Sequence, residues 1–308
     1  MRHARMRFSG RALGAMSLGL VLALGVVACG DDGGGDGGDG EAITVAAADF
    51  GAEPNILAQL YGQALAADGF DVTVEETFGT RPVILDAMES GDVGLTPEYV
   101  GSLLNELEGQ DTATSDVDES VEMLQSALGD DGLVAFEPSD AQDFDTLVVT
   151  QETADEFGLE TYSDLADVAD ELTFGAPPEC QEFPACIPGL RDVYGIEFGE
   201  FVPLEAGPPI FEALGNGDID VARAFSTSPI IAAEGYVVLE DDQGLSAAEN
   251  IIPIAREEFD TDAVADTVNE VSAALTTENL TELVSQVDID LEDPADVAQA
   301  FLEDEGII

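Results

Sequence analysis

Beyond residue 28 the chain carries 66 acidic residues against four arginines, Arg81, Arg191, Arg223 and Arg256, and no lysine. That imbalance constrains the fold more than any local pattern does. A body so charged repels itself, so it stays compact only if its carboxylates spread over a solvated surface and salt screens them. The Debye length falls to about 3 Å near 1 M. The composition therefore predicts a source rich in salt and no attraction to nucleic acid or to an anionic lipid surface. The one histidine, His3, lies in the first 28 residues. For the rest of the chain, histidine bases, Ser-His-Asp triads, Schiff-base and P-loop lysines and histidine-bound zinc are excluded together. Carboxylate pairs, as in glycoside hydrolysis, are the common catalytic chemistry that survives.

The first 28 residues set Arg2, Arg5, Arg7 and Arg11, with no acid, before an apolar run from Leu18 to Leu24 and small residues up to Ala28. That is the order of a secretory signal, and the run falls short of the about 20 apolar residues that a spanning helix needs. Residues 25–29, GVVAC, resemble the lipobox of bacterial lipoproteins. The resemblance implies removal of 1–28 and lipid attachment at Cys29, which holds the protein to the outer face of the cell membrane. Residues 30–40 are Gly and Asp alone, with nothing to bury, so 29–41 reads as a lipidated cysteine and a flexible tether. The same string weakly resembles Gly-Asp calcium repeats, which leaves a calcium-stabilised surface protein as a competing reading. Cys180 and Cys186 stand six apart in ECQEFPACIPG. Outside the cytoplasm a disulfide closing this short loop is the preferred reading, and two free thiols the alternative.

Along the body, strand and helix signals alternate, which predicts an α/β fold with largely parallel pairing. Residues 43–48 and 71–77 read as strands, and Ile56, Leu57, Leu60, Tyr61 and Leu65 share one helical face. A helix is predicted over 82–89 behind a proline, and another over 163–172 with Ser163 as its cap. Residues 147–150, 172–175, 236–239 and 251–255 complete the predicted strands. The tail is helical: Val264, Val268, Val271 and Leu275 share a face, Asn279 with Glu282 reads as a capping pair, and Asp293-Pro294 opens the last helix. An internal echo sets PVILDAMESGDVGLT, residues 82–96, against PIFEALGNGDIDVA, residues 209–222. Ala87, Gly91 and Asp92 fall on Ala213, Gly217 and Asp218. Each copy is a helix ended by Gly and fed into a strand, which predicts two lobes of like construction.

The stretches GTRPVILDAMESGDVGLTPEYVGSLL, LTFGAPPECQEFPACIPGLRDVYGIEF and GNGDIDVARAFSTSPIIAAEGYVVLEDDQG resemble the substrate-binding lipoproteins of glycine betaine, choline and osmoprotectant ABC importers, from about residue 43 to 308. The resemblance implies a two-lobed periplasmic-binding-protein-like fold of type II, each lobe a mixed sheet flanked by helices, with the ligand in a cleft between them. Residues 42–145 plus 251–308 form lobe one in this reading, and 146–250 lobe two. It implies a monomer without cofactor or metal that makes and breaks no bond, and passes a quaternary ammonium solute to an ABC permease. Such a cation is held against aromatic faces, and a carboxylate tail by arginine or backbone N–H groups. Tyr99, Phe211 and Phe225 are the candidate rings. Arg81 and Arg223, which the echo sets at matching places, are the candidate anion grips, and Asp49, Thr80, Ser226 and Thr227 the polar contacts. The chain departs from the family at Thr96, where many relatives carry an aromatic, at Asp145, where some have tyrosine, and at Phe183, where certain relatives place an arginine that grips the betaine carboxylate. The cage is therefore expected to be thin. A carboxylate-dependent hydrolase on this scaffold, or a binder of another small solute, remains the alternative.

Overall fold

The computed structural model describes residues 42–109, 112–129 and 131–308. The expected signal, Cys29 lipid site and tether lie outside them. Strand β1 is Ile43–Ala48, followed by α1 (Ala52–Ala67), β2 (Val72–Gly79), α2 (Arg81–Ser90), β3 (Leu95–Tyr99), α3 (Val100–Glu108), α4 (Val117–Gly129) and β4 (Leu133–Ala135). The chain then crosses to β5 (Asp145–Val149), α5 (Gln151–Phe157), α6 (Tyr162–Leu165), β6 (Thr173–Ala176), α7 (Ile187–Gly189) and β7 (Glu200–Pro203). After these come α8 (Pro208–Asn216), β8 (Val221–Phe225), α9 (Pro229–Glu234) and β9 (Val237–Val238). It returns as β10 (Ile251–Arg256) and ends in α10 (Asp262–Ala274), α11 (Thr277–Asp288) and α12 (Pro294–Glu305).

Two five-stranded mixed sheets result, ordered β2-β1-β3-β10-β4 and β7-β6-β8-β5-β9. They share one plan. Three parallel strands come first, then an antiparallel strand that has just crossed from the other sheet, β10 in one and β5 in the other, then a short antiparallel edge. The echo seen in sequence is thus a repeat in three dimensions. In both copies the helix ends on a left-handed glycine, Gly91 at φ 90° and Gly217 at φ 73°, and the next N–H, of Asp92 or Asp218, reaches back to Ala87 O or Ala213 O at 2.9 Å. Each cap turns the chain directly into the next parallel strand.

Each sheet is covered on both faces, which is why its inner strands are apolar without alternation. The first sheet packs Leu57, Leu60 and Tyr61 of α1 with Val268, Val271 and Leu302 on one side, and Ile84, Met88, Leu103 and Leu124 on the other. Tyr61 meets its polar obligation through Ser272 Oγ at 3.1 Å. The second sheet buries Phe174, stacked on Phe198 with ring centroids 4.5 Å apart, beside Tyr162 and Leu190. Cys180 and Cys186 are disulfide-bonded against this cluster, with Cα atoms 5.3 Å apart.

Two helix starts differ from the sequence expectation. The helix predicted from Ser163 to Leu172 is the single turn α6 and a separate 3-10 turn at Ala169–Glu171, and Thr161 is its cap, paired reciprocally with Asp164. At α11 the cap is Thr276, and Asn279 is the third-position partner that reaches back to it. In both places the caps compete locally, and the residue that can pair with a side chain three positions on wins.

The two crossings run side by side and pair with each other. Gln142 and Asn250 form an isolated antiparallel bridge, flanked by Asp143 N–H to Glu249 O at 3.1 Å and Ile251 N–H to Ala141 O at 3.0 Å.

Candidate functional site

A cavity of about 590 Å³ opens between the two sheets at the C-terminal ends of their parallel strands, where ligands of open α/β sheets collect. Its walls are the β1–α1, β7–α8 and β8–α9 loops, the crossing residue Asp143 and the end of α11. Two other hollows are less enclosed by the fold's plan. One of about 740 Å³ follows α9 and α11, and one of about 410 Å³ lies beside Arg256 on the first lobe.

Two phenyl faces are open to the cavity. Phe50, which follows β1, is 49% exposed, and Phe225, the last residue of β8, is 45% exposed. A phenylalanine is normally among the buried residues, so two half-open rings at one cavity are informative. The other expected rings sit deeper. Tyr99 is only 6% exposed and belongs to the first lobe's core, with its ring 5.9 Å from that of Phe50. Phe211 is 5% exposed and lies parallel to Tyr236 at 6.0 Å, bordering a small hollow of about 40 Å³ behind Phe225.

The charged groups lining the cavity are acids. Glu53, in the first turn of α1, accepts a 2.8 Å hydrogen bond from the Tyr99 hydroxyl at Oε1, while its Oε2 is buried without a directed partner. Burial raises its pKa above the ordinary carboxylate range, and nearby Asp143 adds to the rise, against the Thr227 and Tyr99 hydroxyls. Burial likewise raises Asp143, although Thr227 N–H donates to its Oδ1 at 3.3 Å. Asp288, at the end of α11, is raised by burial as well. Two carboxylates that hold their protons by desolvation become anions more readily once a cation sits beside them.

Both expected anion grips are already committed. Arg81 donates from Nε and Nη2 to the two carboxylate oxygens of Glu98, at 2.9 and 2.8 Å. Arg223 pairs with Asp145, and its guanidinium carbon stands 5.6 Å from the centre of the Phe183 ring. Burial still raises Asp145 against the pull of Arg223. Nor do the two arginines occupy matching places: Arg81 opens α2, whereas Arg223 is the middle residue of β8. Of the polar candidates, Thr227 lines the cavity at 4% exposure. Ser226 instead ties the β8–α9 loop to the crossing, its Oγ accepting from Phe144 N–H at 3.1 Å. Thr80 and Asp49 are exposed and do not line the cavity. Thr96 is fully buried and donates to Ala46 O.

Sequence reasoning passed over Phe50, Glu53, Asp143 and Asp288. The first two were within reach, because DFGAEP follows β1 directly and so begins at a strand's C-terminal end. Asp143 and Asp288 carry no mark that separates them from the other acids. Among the described residues no group of three or more His, Cys, Asp or Glu is placed to hold a metal ion.

Residues 41–304 match the family described as the substrate binding domain of ABC-type glycine betaine transport systems. The chain belongs to that family. The carnitine transport binding protein OpuCC of Listeria monocytogenes is 26% identical over 257 residues, covering 82% of this chain and 83% of its own. The glycine betaine-binding protein YehZ of Escherichia coli is 24% identical over 267 residues, covering 82% and 88%. A crystal structure of a glycine betaine/carnitine/choline ABC transporter protein superposes with a TM-score of 0.78 at 23% identity, over 86% of this chain and 99% of that one. Apo YehZ gives 0.74 at 23% identity, over 87% and 100%. The two-lobed architecture of this binding protein is therefore that of its family, as the internal echo leads one to expect, although half of its strand pairings are antiparallel where the α/β alternation predicted largely parallel ones. Among the described residues no helix is long and apolar enough to cross a membrane.

Proposed function

We propose that this binding protein captures a small quaternary ammonium solute in the cleft between its lobes and delivers it to a membrane permease, held outside the membrane by lipid on Cys29. The observation that carries the reading is the cleft wall: open Phe50 and Phe225 faces beside the buried, unpartnered Oε2 of Glu53. A quaternary ammonium cannot donate a hydrogen bond, so ring faces and carboxylates at van der Waals range are what can hold it, at about 0.5–2 kcal/mol per ring. Closure follows from differential contact. A solute touching Phe50 and Glu53 on one lobe and Phe225 and Thr227 on the other favours the form in which both touch it.

The second reading, a hydrolase, draws on the Glu53–Asp143 carboxylates. Burial raises both acids, Glu53 further than Asp143, which is the split that glycoside hydrolysis uses, and it is membership of a solute-binding family that sets this reading second. No product is expected from candidate glycosides. The decisive test is thermal shift and calorimetry in high salt with glycine betaine, choline, proline betaine and carnitine. At 100-fold excess over Kd a ligand adds about 2.7 kcal/mol, or roughly 5–10 °C in Tm. No shift and no heat with any of the four would end the reading.

A further inference from the structure

We propose that the cleft sorts its ligands by net charge, and prefers quaternary ammonium solutes that are cations overall, such as choline, to zwitterions built on the same ammonium group. The inference rests on the quaternary-ammonium reading above and deepens it. Four features of the cavity converge on it. Its charged lining residues are Glu53, Asp143 and Asp288, with no cation among them. One of these carboxylates points a buried oxygen, Glu53 Oε2, at no partner, with the residue 93% buried. The four arginines of the described chain all have carboxylate partners already, Arg81 with Glu98, Arg191 with Asp192, Arg256 with Glu258, and Arg223 with Asp145 in the small hollow behind Phe225.

The fourth feature concerns the backbone. A carboxylate without an arginine needs N–H groups, and helix N-termini usually supply them. Three helices begin at this cavity, and each has proline within its first three positions: Pro54 in α1, Pro208 and Pro209 in α8, Pro229 in α9. Proline has no N–H, so the donors a carboxylate would use are thinned at all three. In the loop before α9, Ser228 N–H is spent on Phe225 O at 3.1 Å, and Thr227 N–H on Asp143. The N–H groups of Gly51, Ala52 and Glu53 remain in the turn that carries the Glu53 carboxylate, and beyond them Gly207 and Ile230 keep theirs at the α8 and α9 starts. By contrast α11 brings its C-terminal end to the cavity, where Asp288 and the negative end of the helix dipole favour a cation.

Calorimetry on the full chain in high salt, with choline, glycine betaine and the neutral choline isostere 3,3-dimethylbutan-1-ol, tests the inference. The expected result is choline binding at least tenfold tighter than either of the others. In Glu53→Gln the choline advantage over the isostere should shrink several-fold. Asp288→Asn, at an exposed position on the cavity rim, should reduce it in the same direction if Glu53→Gln does not fold. Glycine betaine binding as tightly as choline would overturn the inference while leaving the quaternary-ammonium reading in place. An isostere as tight as choline would overturn it too, by showing that charge is not what is read. Binding of none of the three would bring down both.

Discussion

Glu53 holds the centre of the site because it is costly where it stands. Its oxygen Oε2 is buried with no protein donor in hydrogen-bonding geometry, and a buried polar atom left without a donor costs about 1–3 kcal/mol. The groups that face it are Tyr99 from β3, Asp143 from the crossing, Thr227 from the β8–α9 loop and Asp288 from α11. None is a cation. With Glu53 pushed up to about 8 and Asp143 to about 6, the empty cleft holds protons near neutral pH that a bound cation displaces. Affinity for choline should therefore rise as pH goes from about 6 to about 8. Calorimetry in two buffers of different ionisation heat should show proton release, and a flat profile would contradict the shared role of the two acids. The same shift works against the fold. A carboxyl whose folded pKa lies above its ordinary 4.5 contributes stability that is complete below 4.5 and lost as pH rises through about 8. Glu53→Gln should therefore raise the Tm of the ligand-free protein at pH 8 and leave it nearly unchanged at pH 4, measured by calorimetric melting. Tyr99 shows where residue-level reading of the sequence stops. Its place past a strand end was legible, but a strand-end ring can face the cleft or the core. Here Phe50 covers the cavity side, leaving Tyr99 buried with only its hydroxyl engaged at Glu53.

The elements that carry the plan of the molecule are the two helix–glycine–strand units. Their glycines do the same conformational work in different surroundings. A Cβ on Gly217 would meet nothing within 4 Å, so Gly217→Ala should cost only the left-handed backbone, about 1–2 kcal/mol. A Cβ on Gly91 would stand 3.0 Å from Arg256 Nη1, so Gly91→Ala should cost more. Urea titration of the two variants checks the order, and equal losses would contradict it. These units were readable because glycine, apolar spacing and the following strand agree on one answer. Other elements left weaker traces. Strand β7, EFVP, lies at a sheet edge with no buried residue. Helix α3 starts directly after β3 without a side-chain cap. The arginines misled for a related reason: in so acidic a chain an arginine meets a carboxylate wherever it lies, and only the folded structure shows that Glu98 and Asp145 reached them first.

For the molecule as a whole, charge and hinge set the behaviour. Two lobes of one plan are joined by two crossings that pair with each other along Ser139–Asp143 and Glu249–Ile251, so lobe motion has to bend around this paired segment as a hinge. The acid excess is carried outside the cores, which hold few carboxylates beyond Glu53 and Glu98. Surface repulsion of this size should make stability depend on screening: Tm should climb steadily as sodium chloride is raised from about 0.1 to about 2 M. A Tm indifferent to chloride would show that the acids do not strain the fold. One measurement reaches the central claim most directly, a crystal structure grown with choline in high salt. The predicted result puts the trimethylammonium between the Phe50 and Phe225 faces, within about 6 Å of each ring centre, with the Glu53 carboxylate beside it. Choline lodged away from these rings, or a cleft left empty at saturating choline, would contradict it.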